Sequence, residues 1–222
     1  MNAVSRFSAL VAALALLPAI AQAHLVSTGL GPIYDGMSHF ALSPEEVFPV
    51  AALALFAGLR GPASARSVLF VLPAAWALGG LGLGFGLSLP DLSGQIVTAA
   101  IFLLVGGMLV AEAFETGGLS PRGLHVPHLA TAATAVLLGL IRGNVDMTGF
   151  MARNYATAVA VVLPLFGVVI TVFILTALAA SWSLPLKAMW ARLAICVMGS
   201  WSAALGLLLV GWSIHLAIMA RH

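Results

Sequence analysis

YATAVAVVLPLFGVVITVFILTALAA, residues 155–180, carries no charged side chain from end to end. It is longer than the roughly 20 apolar residues a helix needs to cross the hydrocarbon core of a bilayer. Backbone polar groups in hydrocarbon have to be satisfied internally, and a helix does so within one segment. The stretch is therefore read as a transmembrane helix, and the fold class depends on how far the same pattern extends.

It extends over most of the chain. Of 222 residues, 62% are hydrophobic and only 7% charged, against roughly 25% charged in soluble domains; the mean hydropathy is +1.12. Six apolar runs stand out, at about 44–59, 67–87, 93–114, 126–141, 155–180 and 188–219. The first is short, and the last is long enough to tilt or protrude. The reading is an all-α polytopic membrane protein with six transmembrane helices in a single domain, residues 24–222. Its partner is the lipid bilayer; the net charge of +2 rests on a handful of residues and implies no nucleic acid. Cys196 is the only cysteine, which excludes an intrachain disulfide and a multi-thiolate metal site.

Residues 1–23 read as a signal peptide. Arg6 precedes an apolar stretch from Phe7 to Ile20, and Ala21-Gln22-Ala23 forms an A-x-A cleavage site. Cleavage there makes His24 the first mature residue, outside the cytoplasm, where its free amino group and imidazole chelate a metal. With His24 outside, alternation of six helices returns the C-terminus to the same side. Arg60, Arg66, Arg122, Lys187 and Arg192 then fall inside, and Arg142, Arg153 and Arg221 outside, in line with the positive-inside rule.

The segment after the signal peptide, 24–43, holds most of the candidate chemistry. Gly29, Gly31, Pro32 and Gly36 punctuate it, so Asp35 and His39 are expected on an irregular or re-entrant piece at the membrane surface. Ser43-Pro44-Glu45-Glu46 looks like a helix start: serine at the N-cap, proline at N1 and acids in the first turn. One carboxylate suffices for capping, and two beside His39 suggest ligands. Imidazole with carboxylate partners suits nickel, cobalt, copper or zinc rather than calcium or magnesium.

A second group of ionisable residues lies at the opposite face. Glu112 and Glu115 are three apart near the end of the third run, and His125 and His128 open the fourth. Ionisable residues at such depth tend to face a polar pathway, so Glu112 and His128 are the expected receiving site. Asp146, between Arg142 and Arg153, reads as an external ion pair, and His215 as a hydrogen-bonded interior histidine. Glycines and serines such as Gly106, Gly199, Ser202 and Gly206 read as close helix–helix contacts. The stretches 52–62, ALALFAGLRGP, and 135–144, AVLLGLIRGN, resemble each other and suggest two inverted three-helix halves.

Taken together, the signal peptide, the mature histidine, the glycine-punctuated segment ending in His39, the acidic pair and the six helices resemble a known family. It is the hydrogenase/urease accessory nickel permeases, the HupE/UreJ family. The resemblance covers most of the chain, and its specific part is residues 24–50. His39 matches the family's histidine and Glu45 its acid, while Glu46 stands where the family has a further histidine. Arg142-Gly143-Asn144 stands where it has a His-Gly pair with a nearby Asn or His. The resemblance implies a permease of the bacterial inner membrane. Nickel or cobalt would be its cargo rather than a permanently bound cofactor, and metalloenzyme maturation proteins its partners. The expected metal residues are His24, Asp35, His39, Glu45, Glu46, Glu112 and His128. The alternative is a membrane metal sensor or accessory protein that transports nothing. An enzyme is not expected: no Gly-x-Ser-Gly occurs, and Ser200, Ser202 and His215 share one helix, whereas nucleophile and base have to converge from different elements.

Overall fold

A computed structural model describes residues 29–83, 91–116, 128–152, 158–183 and 189–219. These residues form seven helices and no strand: α1 (Pro32–Ala41), α2 (Pro44–Leu59), α3 (Pro62–Leu78), α4 (Asp91–Thr116), α5 (His128–Met151), α6 (Ala158–Ser183) and α7 (Met189–Met219). One π turn, Gly79–Leu83, extends α3. His24 lies outside the described residues, as does the whole of segment 1–23.

Proline and glycine set the boundaries at the start of the bundle. Gly31 and Gly61 adopt φ of 108° and 105°, and each is followed by a proline that opens a helix. A left-handed residue costs glycine little, and a proline at N1 gives up no hydrogen bond. Pro44 acts differently. It disfavours helical geometry in the residue before it, and Ser43 is accordingly extended, with φ −101° and ψ 90°. The chain therefore bends by 74° between α1 and α2. The Ser43 hydroxyl does not cap α2; it donates to the His39 carbonyl at 2.7 Å and ties the corner together.

The segment carrying Asp35 and His39 is thus a regular helix rather than an irregular piece. Gly36 does not break it, because the glycine has a packing role. A Cβ there would collide with the Pro164 carbonyl on α6, and one on Gly167 with the Ile33 carbonyl on α1. The two backbones approach as closely as they do because both helices present hydrogen atoms at the contact.

α2 is the hub. Beyond its first turn it is apolar on every side, and Val50, Leu53, Ala54, Phe56 and Ala57 are all fully buried, as a helix without a polar face has to be. α1, α3, α4, α5, α6 and α7 all touch it. α4 and α7 pair along a second glycine seam: a Cβ on Gly106 would lie 2.6 Å from the Gly199 carbonyl oxygen, and one on Gly206 2.9 Å from that of Ala99. Gly107 and Gly211 meet nothing within 4 Å.

Four helical stretches are long and apolar enough to cross a membrane: Pro62–Gly82, Leu129–Met151, Ala160–Ser183 and Val197–Met219. The bent pair of α1 and α2 makes a fifth when taken as one span. In α4 the apolar stretch Ile96–Ala111 is shorter. The described chain is therefore an all-helical membrane-type bundle with four to five such spans.

The largest departure from the sequence reading is α5. Expected to end at Ile141, it runs on to Met151, so Arg142, Asn144 and Asp146 lie within a helix and are buried. Arg142 is not an external loop residue and leaves the charge balance across the membrane. The extension also separates the two similar stretches. Leu59 ends α2 in the first, whereas the second lies inside α5, so they do not occupy equivalent places.

Candidate metal centre

Three helices bring three ligand-type side chains together. His39 comes from the last turn of α1, Glu46 from the first turn of α2 and Asp146 from the C-terminal part of α5. One ligand atom of each lies within 4.8 Å of the others. His39 Nε2 is 3.7 Å from Glu46 Oε1 and 3.8 Å from Asp146 Oδ1. Both carboxylates are buried, at 3% exposure, while the His39 side chain keeps 14% and forms the outer edge. The Phe150 ring meets the imidazole edge-on at 5.4 Å.

The local sequence explains the convergence. Pro44 turns the chain between His39 and Glu46, so two adjacent helix ends face each other across the 74° corner. On the other side, Gly143 lets α5 lie against α3: a Cβ there would strike the Trp76 carbonyl. That contact sets Trp76 beside the next turn of α5, where its indole N–H donates to Asp146 Oδ2 at 2.7 Å. The ring is wedged edge-on against Phe40 at 5.8 Å. Trp76 therefore holds one oxygen of Asp146 and leaves the other turned to His39.

Arg142 completes the arrangement. One guanidinium nitrogen lies 3.5 Å from Glu46 Oε1, and the other donates to Thr98 Oγ1 on α4 at 3.1 Å. Glu46 Oε2 and Arg142 Nε are buried without a partner. Two carboxylates and one guanidinium are thus enclosed together. Unpaired charge is costly in such surroundings, so the group requires its mutual contacts or a further cation.

The donor set fits a transition-metal ion. Imidazole and carboxylate oxygen bind zinc-like ions at about 2.0–2.2 Å, which places ligand atoms up to about 4.4 Å apart. The separations of His39 Nε2 from Glu46 Oε1, 3.7 Å, and from Asp146 Oδ1, 3.8 Å, already lie within that reach. Three protein ligands leave coordination positions open, as in sites that exchange a bound molecule rather than closed structural sites.

Of the residues expected at a metal site, the structure thus unites His39 and Glu46. Asp35 lies one turn before His39 on α1 but does not belong to the group, and the half-buried Glu45 also stands apart. Glu112 lies in the last turns of α4, and His128 opens α5; their side chains lie outside the described part. Their backbone positions are distant from the group. Along α4, Glu112 is fourteen residues from Thr98, about 21 Å; along α5, His128 is eighteen from Asp146, about 27 Å, at roughly 1.5 Å per residue. Each lies toward the other end of its helix from the group.

Asp146, which the sequence reads as part of an external ion pair, is buried in the group; Arg142 stands where the resemblance has a His-Gly pair, and Trp76 and Thr98 carry no site reading in the sequence. One signal was available. Arg142 and Asp146 are four apart, hence on one face of any helix that contains them.

Comparison of the chain with protein-family models, curated proteins and solved structures found no match.

Proposed function

We propose that this protein is a membrane permease for a divalent transition-metal ion, with nickel or cobalt as the cargo. The carrying observation is the buried triad of His39, Glu46 and Asp146, whose donor chemistry and spacing suit such an ion. In this reading the ion is captured outside at the corner of α1 and α2 and leaves toward Glu112 and His128 at the cytoplasmic end. The bundle has six spans, with α4 among them and the bent pair counted as one, in the bacterial inner membrane. Both mature termini face outward after removal of residues 1–23, and His24 adds a ligand at the mouth. No catalytic chemistry is assigned.

The test is uptake of nickel, cobalt, copper and zinc, side by side, into proteoliposomes containing the purified protein. Uptake of one metal is expected, falling to the empty-liposome level in His39→Ala and Asp146→Asn, with both variants still inserted in the membrane. Uptake that persists in both variants refutes the assignment of the site.

One observation favours the second reading, a metal sensor or accessory protein. Arg142 already places a fixed positive charge on Glu46, where a permease has to give the carboxylate to its cargo. Binding of a metal through His39 without any uptake is the outcome that this reading requires.

A further inference from the structure

Arg142 is the one charged side chain of the cluster that cannot ligate a metal. Its contact with Glu46 is a single one at 3.5 Å. Guanidinium and carboxylate reach full strength as a bidentate pair at roughly 2.7–2.9 Å. Here Arg142 Nε and Glu46 Oε2, the atoms that a second contact would use, are both buried without partners. The ion pair is incomplete on both sides.

The guanidinium also has a second anchor. It donates to Thr98 Oγ1 on α4 at 3.1 Å, a neutral partner that does not depend on Glu46. If the carboxylate is taken away, the arginine keeps a hydrogen bond and a place in the fold.

Resting on the permease reading, we infer that Arg142 is a tethered competitor of the transported ion. Its guanidinium occupies Glu46, and an arriving divalent cation gains that carboxylate only by displacing the guanidinium from it, while Thr98 keeps its hold on the arginine. The charge balance gives the consequence. In the metal-bound state the ligands are deprotonated, so Glu46 and Asp146 contribute −2 and Arg142 +1. The divalent ion brings that bound state to +1, whereas with the two carboxylates alone it would be neutral. The residual positive charge beside the bound ion weakens its hold and favours departure. Transport demands such a site, strong enough to admit the ion and weak enough to release it. Arg142 therefore sets affinity and turnover in opposite directions without touching the ion.

The experiment titrates the full-length protein in detergent with cobalt(II), followed by its visible absorption, and measures cobalt uptake in proteoliposomes. Arg142→Gln is expected to bind cobalt at least about tenfold more tightly, because two unit charges some 4–5 Å apart interact by more than one tenfold step even at an effective dielectric constant near 20. Its uptake at saturating cobalt is expected to fall below wild type. Arg142→Lys, which keeps the charge, stays close to wild type in affinity. Arg142→Met carries the same expectation as Arg142→Gln and inserts more readily, since a central arginine opposes insertion.

Equal or weaker binding in the neutral variants overturns the inference while leaving the permease reading in place. If wild type and variants all stay folded and none binds cobalt, both fall together. If neither neutral variant accumulates in membranes even with cobalt in the growth medium, Arg142 is a structural counter-ion and the inference fails.

Discussion

At the scale of single residues, the chemistry of the site depends on how Asp146 is held. Its carboxylate oxygens have divided tasks: Oδ2 accepts the Trp76 indole proton, and Oδ1 faces His39. Groups that orient a ligand from outside typically change metal affinity by about 10–100-fold when removed. Trp76→Phe keeps most of the buried ring and deletes only the N–H. It is expected to weaken cobalt binding within that range and to lower stability by about 1–3 kcal/mol, the cost of leaving a buried acceptor without its donor. Cobalt titration and thermal melting of the same detergent sample measure the two effects. Unchanged affinity would mean that Asp146 is held by other contacts. The members of the triad are partly legible from the sequence: His39 and Glu46 announce themselves by type and by the turn between them. Asp146 and Trp76 lie 100 or more and 30 or more residues away along the chain from Glu46, and nothing local joins them.

At the scale of elements, glycines decide where helices meet. Lipid tails are as apolar as leucine side chains, so helix association rests on close packing. Gly106 and Gly107 are neighbours on α4 with opposite surroundings. A Cβ on Gly106 would press on the Gly199 carbonyl and the Ala203 backbone, whereas one on Gly107 meets nothing. Gly106→Ala is expected to destabilise the protein by about 1–3 kcal/mol, as overpacking does. Gly107→Ala should be neutral or slightly stabilising, since alanine is the better helix former. Thermal unfolding in detergent separates the two, and equal melting temperatures would show that α4 and α7 do not pack through this seam. The small-residue pattern was legible in the sequence, but not which member of each pair faced a neighbour. Proline and glycine also misled: Gly36 signalled a break in what is a helix, because the demand for close contact with α6 outweighs its poor helix propensity.

At the scale of the whole molecule, the order of the helices places the triad at one end of the bundle. α2 begins beside the triad, Trp76 sits late in α3, Thr98 early in α4 and Asp146 late in α5. The chain thus runs away from the triad in α2 and α4 and back toward it in α3 and α5. Continued through α6 and α7, that alternation puts the end of α7 on the triad side. A C-terminal alkaline phosphatase fusion is accordingly expected to be active in a bacterial host, and the corresponding green fluorescent protein fusion dark. The reverse pattern would place the triad on the cytoplasmic side and turn capture into release.

Composition and the uncharged runs determined by themselves that this chain is a helical membrane protein, because bilayer thickness and backbone hydrogen bonding leave few alternatives. They also located most of the helices and two members of the triad, His39 and Glu46. Only the tertiary structure decided the site. The end of α5 looks polar enough to be a loop, and Arg142 and Asp146 become helical and buried because Glu46, Thr98 and Trp76 arrive from three other helices to satisfy them. The spacing of Arg142 and Asp146 puts them on one face of any helix, but whether that face is buried depends on what the rest of the bundle brings to meet it.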